Sequence, residues 1–329
     1  MSSLLSTLKK NHHLDQTHLT IVSVGSRKIN PSDDFASSIW NPFAPKLSIY
    51  GFDADADACN DANAELETRN ISWQEKHIPL ALGKEHGEAT LHVTKVPACS
   101  SLYPPNEAYL TRFATLQEFM SYDFSLMIET TTLDRACQQE GIGNIDFLHI
   151  DVQGADLHVL EGAAQSLEPV LAVQIEVEFT PLYLNQPLFA DVDIHLRQQG
   201  FTLFELATAH RPRTRSPIFS TSNSGQLLWG DAFYLRDLIA EPDDSPLKTP
   251  ANLLKLACIA DALDFPDYAL ELLEYLTLHY GTDPTYNVAN SIVETLAQVP
   301  ALVEHGLNNF PLVSSIRAYV SGDALEYIT

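Results

Sequence analysis

The sequence is poor in positive charge. Lysine and arginine together number 19 against 43 aspartate and glutamate residues, which gives a formal net charge of −24 at pH 7. Nucleic acids and anionic membrane surfaces would repel such a molecule at long range. We therefore expect neither nucleic acid nor a membrane among its partners.

Long apolar runs and paired cysteines are missing as well. No window approaches the ~18 apolar residues of a membrane-spanning helix, and the N-terminal residues lack the apolar core of a secretory signal. The four cysteines lie far apart with no Cys-x-x-Cys pair, which predicts reduced thiols rather than a disulfide framework or a zinc site. These absences predict a cytoplasmic protein.

Apolar, β-rich runs alternate with helical patterns from Leu19 onward. The runs LTIVSVG and LSIYGFD read as buried strands, and HIPLALG, DFLHIDV and LAVQIEVEF read as further strands. The alternation in GEATLHV suits a half-exposed edge and predicts an added antiparallel strand. Strands regularly joined by helices predict an α/β fold with a doubly wound, mostly parallel, Rossmann-like sheet. The runs FTLFEL and DAFYLRD have only a loop between them, which predicts an antiparallel edge pair.

A proline-rich, charged segment, EPDDSPLKTP, divides this alternation from a helical C-terminal part. The predicted organisation is an N-terminal extension (1–18), an α/β domain (19–240), a linker (241–250) and an appended acidic helical domain (251–329). We expect the helical domain to dock on the core, or to offer a surface for a protein partner or for self-association.

The residues that end the predicted strands indicate a ligand, because open parallel sheets bind ligands at the carboxyl ends of their strands. Gly25 ends the first strand and allows close approach to the backbone. Asp53 ends the second strand, where a carboxylate can accept both hydroxyls of a ribose. No glycine follows Gly25 until Gly51, so the dinucleotide motif G-x-G-x-x-G is missing and an NAD- or FAD-dependent oxidoreductase is disfavoured. S-adenosylmethionine has no pyrophosphate and needs fewer such backbone contacts.

The segment ETTTLDRACQQEGIGNIDFLHIDVQGADLHVLEGAAQSL resembles the signature of the FkbM-type S-adenosylmethionine-dependent methyltransferases. The likeness extends upstream through IVSVG and IYGFDAD and downstream to IEVEF, covering roughly Leu19 to Asp237. It implies a seven-stranded, methyltransferase-like sheet and methyl transfer to a hydroxyl oxygen. The acceptor would be a small molecule or a glycan.

The resemblance also implies roles for individual residues. It places the cofactor against Gly25, Ser26, Asp53, Ala54, Ala81, Leu82 and Asp151, and the substrate against Ser100, Ser101 and Gly154. A hydroxyl must lose its proton as it attacks the methyl group, and a carboxylate or histidine can accept that proton. The candidates for this catalytic role are Asp151, then Glu178, then His149.

Several positions depart from the family pattern. Ser23 stands where an aspartate is usual, Gln153 where a glutamate is, and His149 where a lysine is, and a second glycine is missing near Ile29. These departures keep open an alternative in which the chain is a catalytically degenerate scaffold or interaction module.

The run DADAD, Asp53 to Asp57, raises the question of a metal. An EF-hand calcium loop starting at Asp53 would need glycine and glutamate where Ala58 and Ala64 stand. Asp151, Glu178 and a histidine are suitable ligand types without a diagnostic spacing, and we predict no metal site. Asp55 and Asp57 are expected at a helix start, where carboxylates favour the positive end of the helix dipole.

Overall fold

The computed structural model describes residues 3–28 and 39–328. Its main sheet has seven strands in the order β3-β2-β1-β7-β8-β10-β9. These strands are β1 (Leu19–Val24), β2 (Leu47–Asp53), β3 (Gln74–Pro79), β7 (Phe147–Ile150), β8 (Ala172–Glu178), β9 (Phe201–Arg211) and β10 (Gln226–Arg236); β4 to β6 belong to a second sheet.

The predicted α/β fold with a mostly parallel seven-stranded sheet is confirmed. Strands β3, β2, β1, β7 and β8 pair in parallel. The predicted antiparallel pair is present too, with β10 running antiparallel to both β8 and β9 and with β9 at the edge. All six residues of β1 are buried, which matches its position in the middle of a sheet covered on both faces.

Helices cover the sheet and make up the C-terminal part of the chain. They are α1 (Ser3–Lys10), α2 (Ala56–Thr68), α3 (Glu107–Leu110), α4 (Leu116–Met120), α5 (Leu133–Glu140), α6 (Asp156–Glu161), α7 (Phe189–Gln198), α8 (Pro250–Ala262), α9 (Pro266–Tyr280), α10 (Ala289–Leu296), α11 (Pro300–His305) and α12 (Pro311–Ile316). The Thr132 side chain caps α5 by accepting from the Arg135 N–H, and Gly141 ends that helix in the left-handed conformation.

A second, three-stranded sheet was not foreseen. It has the order β4-β6-β5, with β4 at Ala81–Leu82, β5 at Gly87–Thr94 and β6 at Tyr122–Thr131. The predicted strand HIPLALG is therefore divided between the two sheets. GEATLHV is an antiparallel strand, as predicted, but its partner is β6 and not the main sheet. Most of β6 is exposed, so it lacks the burial pattern by which buried strands are recognised in sequence.

The C-terminal helices share a hydrophobic core with one face of the sheet. That core joins Leu19 and Ile21 of β1 to Leu253 of α8 and Leu272 of α9, and it includes Leu5 of α1. Polar contacts reinforce it, because Lys255 on α8 forms an ion pair of 2.8 Å with Asp146, just before β7. The domain boundaries at 18, 240 and 250 stay predictions.

Within the described ranges, no helix is both long enough and apolar enough to cross a membrane.

Candidate active site

A cavity of about 990 Å³ opens at the carboxyl ends of the central parallel strands. Gly25 follows β1, Asp53 ends β2 and Asp151 follows β7, and all three line the cavity. Strands β5 and β6 of the small sheet form another part of its wall. The cavity therefore occupies the position at which open parallel sheets bind their ligands.

The loop after β1 is held against the loop after β7. The Asp151 N–H donates to the Val24 carbonyl at 2.9 Å, and the Gly25 N–H donates to the Phe52 carbonyl at 2.8 Å. Gly25 has a φ of +78°, and a Cβ atom built there would lie 1.8 Å from the Asp151 carbonyl oxygen. Glycine is thus required by the approach of two backbones, in addition to any approach by a ligand.

Asp53 has hydrogen-bonding capacity left for a ligand. Its Oδ1 accepts from the Asp55 N–H at 2.8 Å, and its Oδ2 accepts from the Arg27 N–H at 3.1 Å. Because a carboxylate offers about four lone-pair sites, each oxygen can accept one further bond, which matches a pair of ribose hydroxyls. Burial raises the pKa of Asp53 above its ordinary value, although these N–H donors and the charge of Arg27 oppose the shift.

The other aspartates of the DADAD run have structural positions. Asp55 is the N-cap of α2, and its Oδ1 accepts from the N–H groups of Asp57 and Ala58. It also pairs with Arg27, which lines the cavity. Asp57 lies in the first turn of the helix. All three aspartates line the cavity. Asp55 and Asp57 lie at the helix start, as predicted, and the ribose role of Asp53 stays a prediction.

A buried polar chain supports Ser26. Its Oγ lies 3.1 Å from His77 Nδ1, and His77 Nε2 lies 3.3 Å from Glu75 Oε1. Burial would raise the pKa of Glu75, but hydrogen bonds from His77 and Trp73 and the adjacent Lys28 lower it to about 2. Sequence reasoning missed His77 and Glu75. The available signal was their spacing, since residues two apart on a strand lie on the same face.

Acidic side chains cluster on one side of the cavity. Gln153 Nε2 donates to Asp151 Oδ1 and to Glu176 Oε2, each at 2.7 Å. Gln153 has a φ of +57°, and its Oε1 accepts from the Tyr183 hydroxyl at 2.9 Å. Burial raises the pKa of Glu176 well above its ordinary value, and repulsion from Asp151 adds to the shift. Gln153, at the position where the family has glutamate, is therefore the donor that bridges two carboxyl groups.

Asp231 is a third residue that sequence reasoning missed. It lines the cavity and lies directly opposite Glu176 in the antiparallel pairing of β10 with β8. Burial, and then the charge of Asp151, raise the pKa of Asp231 to about 6. Its position depends on the pairing register of two distant strands, for which the sequence holds no local signal.

Asp156 holds the turn of the motif DVQGAD. Its Oδ1 accepts from the Val152 N–H at 3.0 Å, and its Oδ2 accepts from the Gly154 N–H at 2.9 Å. Only 2% of Asp156 is exposed, and burial together with the charge of Asp151 raises its pKa to about 7. The second acid of the motif therefore shapes the loop that carries Asp151 and Gln153.

Most of the predicted site residues come together in this cavity. The predicted residues that line it are Gly25, Ser26, Asp53, Ala54, Ala81, Leu82, Ser100, Ser101, His149 and Asp151. Glu178 lies outside the lining, 3% exposed, and burial raises its pKa well above the ordinary value. Gly154 also lies outside, in the motif turn with a φ of +88°. The roles of all these residues stay predictions.

The departures from the family pattern have local partners. Ser23 is buried, and its Oγ lies 3.1 Å from His149 Nδ1. The position near Ile29 lies outside the described residues. Among residues 3–28 and 39–328, no group of three or more histidine, cysteine, aspartate or glutamate side chains is arranged to hold a metal ion.

Comparison with known proteins identifies relatives. The sequence model of the Methyltransferase FkbM domain matches residues 31–203, just over half of the chain. The 2-O-methyltransferase NoeI of Sinorhizobium fredii (strain NBRC 101917 / NGR234) is 32% identical over 156 residues. That match covers 46% of this chain and 62% of the relative's length, so the chain spans less than two thirds of that protein.

Solved structures with similar elements include a methyltransferase and a protein in complex with S-adenosyl-homocysteine. Magnesium protoporphyrin IX methyltransferase from Synechocystis PCC 6803, with bound SAM, has a TM-score of 0.32 at 9% identity, covering 71% of this chain and 76% of that one. TrmK of M. capricolum, in complex with S-adenosyl-homocysteine, has a TM-score of 0.35 at 11% identity, covering 97% of each chain. The fold assignment rests on the strand order and not on these scores.

Proposed function

The chain belongs to the FkbM methyltransferase family, and from that premise we propose that it is an S-adenosylmethionine-dependent O-methyltransferase. The observation that carries the proposal is Asp53, which ends β2 at the cavity with one acceptor site open on each carboxylate oxygen. The acceptor is a hydroxyl of a small molecule or a glycan. Support for oxygen as the acceptor atom comes from the name of the relative that is a 2-O-methyltransferase.

The residues present fit the cofactor. Gly25 lines the cavity at the end of β1, and Asp53 can accept both hydroxyls of a ribose. Ala54, Ala81 and Leu82 line the same cavity and offer small or apolar contacts to an adenine ring. S-adenosylmethionine, when bound, supplies a methyl group on a positively charged sulfur atom.

The chain's own contribution to the chemistry is proton acceptance and alignment. Asp151 and Asp231 line the cavity, and either carboxylate can accept the proton of an acceptor hydroxyl. Gln153 donates a 2.7 Å hydrogen bond to one oxygen of the Asp151 carboxylate. The other oxygen can then accept the proton of the hydroxyl group. An oriented base next to a bound acceptor lowers the barrier chiefly by positioning.

The proposal is tested by transfer of a labelled methyl group. The protein is incubated with S-adenosylmethionine carrying a tritiated methyl group and a panel of hydroxyl acceptors, namely monosaccharides, glycosides and phenols. We expect label in a product that survives mild alkali, as a methyl ether does and a methyl ester does not. Asp151→Asn should lower the rate at least tenfold. Binding of cofactor without transfer to any acceptor would favour the degenerate scaffold.

A further inference from the structure

One wall of the cavity is an apolar sheet face. Strands β5 and β6 pair antiparallel, with Leu91 opposite Leu126 and Val93 opposite Phe124. Since directly opposite residues share a face of the sheet, these side chains form one surface, and Ile128 continues it along β6. All five side chains line the cavity.

Two of these five apolar side chains are exposed and the other three are half-buried. Phe124 is 49% exposed and Leu126 is 39% exposed, in a protein whose other large apolar side chains are mostly buried. The opposite face of the same strands is largely polar, and there Ser125 Oγ and His92 Nδ1 lie 3.1 Å apart. A contiguous exposed apolar surface next to polar surroundings marks a binding site more often than a scattered apolar residue does.

The apolar wall is connected to the predicted cofactor side of the cavity. Strand β4, with Ala81 and Leu82, pairs in parallel with β6 through Thr130 and Thr131. The wall therefore belongs to the same small sheet as two predicted cofactor contacts. The cavity, at about 990 Å³, lies at the upper end of the roughly 300–1,000 Å³ range of small-molecule pockets, so it has room for a second ligand beside a cofactor.

We propose that the wall formed by Leu91, Val93, Phe124, Leu126 and Ile128 binds an apolar group that the acceptor carries next to its hydroxyl. The acceptor is thus amphiphilic: a hydroxyl-bearing part faces Asp151 and Asp231, and an alkyl chain or a ring lies on the wall. This inference rests on the proposed function, because it specifies the acceptor of the same site. Acceptors made only of sugar would leave the wall in water.

The area of apolar contact determines how much each methylene group of the acceptor should add to the affinity. Full burial of one methylene group increases affinity about fourfold. A wall that covers one side of a chain buries about half of that surface, which gives about twofold per methylene. Eight carbons instead of one should therefore strengthen binding by roughly two orders of magnitude, up to the length of the wall.

The test is a titration with methyl, hexyl and octyl β-D-glucosides, kept below their micelle concentrations and followed by saturation-transfer difference NMR. It is run on the protein saturated with S-adenosylhomocysteine and again without it. Leu126→Asp places a charge on the wall. Met127→Asp is the matched control, since Met127 is the next residue of β6, is 61% exposed and lies on the other face of the strand.

We expect octyl glucoside to bind at least tenfold more tightly than methyl glucoside. Leu126→Asp should reduce that ratio to within twofold of unity, and Met127→Asp should preserve it. Equal binding of the three glucosides by the wild-type protein would overturn the inference. So would an equal reduction of the octyl-to-methyl affinity ratio in the two variants. Failure of S-adenosylhomocysteine to bind would contradict the proposed function instead, and the titration without it still decides whether the wall binds apolar groups.

Discussion

Replacing Gly25 by alanine tests how the site is built. Gly25 has a φ of +78°, and for a residue with a Cβ atom this left-handed conformation costs about 1 kcal/mol. The added Cβ would lie 1.8 Å from the Asp151 carbonyl oxygen, whereas real Cβ atoms essentially never approach within 3.0 Å. The two loops would have to separate by more than 1 Å, the difference between these two distances.

That separation threatens the hydrogen bond from the Asp151 N–H to the Val24 carbonyl, which is 2.9 Å long. Leaving its partners unsatisfied inside the protein costs about 1–3 kcal/mol. Together with the conformational cost, we expect Gly25→Ala to lower the free energy of unfolding by about 3 kcal/mol. Binding of S-adenosylhomocysteine should weaken at least tenfold, because the loops after β1 and β7 both line the cavity.

Gly141→Ala is the matched control. Gly141 ends α5 with a φ of +66°, and a Cβ atom built there meets no atom within 4 Å. This variant should lose only the conformational part, about 1 kcal/mol, and should bind the ligand as the wild type does. Both free energies come from urea denaturation with an unchanged m-value. Equal losses of stability in the two variants, or unchanged binding by Gly25→Ala, would refute this reasoning.

Three further substitutions test the polar network and the core. Burial raises the pKa of Asp231 to about 6 from 3.8, so between these two values the folded protein holds a proton that the unfolded chain releases, and stability falls as the pH rises. Relative to wild type, Asp231→Asn should therefore gain about 1 kcal/mol more in unfolding free energy at pH 8 than at pH 5. The same gain at both pH values would contradict this. Gln153→Glu replaces a donor to Asp151 and Glu176 by a third carboxyl group, and should cost about 2 kcal/mol at pH 8 and less at pH 5 by the same denaturation. Arg236 is buried and donates to four backbone carbonyl oxygens, so Arg236→Met should lower the unfolding free energy by about 3–5 kcal/mol, and a loss below 1 kcal/mol would contradict its structural role.

The sequence allowed the central strands to be predicted because their signals are local. The runs LTIVSVG and LSIYGFD are short and apolar, end at Gly25 and Asp53, and form neighbouring parallel strands. The same locality explains the correct start of α2 at the DADAD run. Residues at strand ends could thus be assigned to the cavity before any long-range contact was known.

Long-range pairing explains what could not be predicted. Asp231 faces the cavity because β10 inserts between β8 and β9 in a particular register. Strand β6 pairs with β4 and β5 in a separate sheet, and its own residues give no signal for those partners. The need for glycine at position 25 comes mainly from the Asp151 backbone, which lies more than 120 residues away in the sequence. Such contacts have no local pattern.

The most direct measurement is calorimetric titration of S-adenosylhomocysteine into the wild-type protein and two single aspartate variants. Asp53→Ala removes the predicted ribose acceptor, whereas Asp61→Ala removes an exposed carboxylate of α2 that does not line the cavity. We expect micromolar binding by the wild type, a loss of tenfold or more for Asp53→Ala from two missing hydrogen bonds, and a change below twofold for Asp61→Ala. No binding by the folded wild-type protein, or equal affinities of all three proteins, would contradict a cofactor site at Asp53.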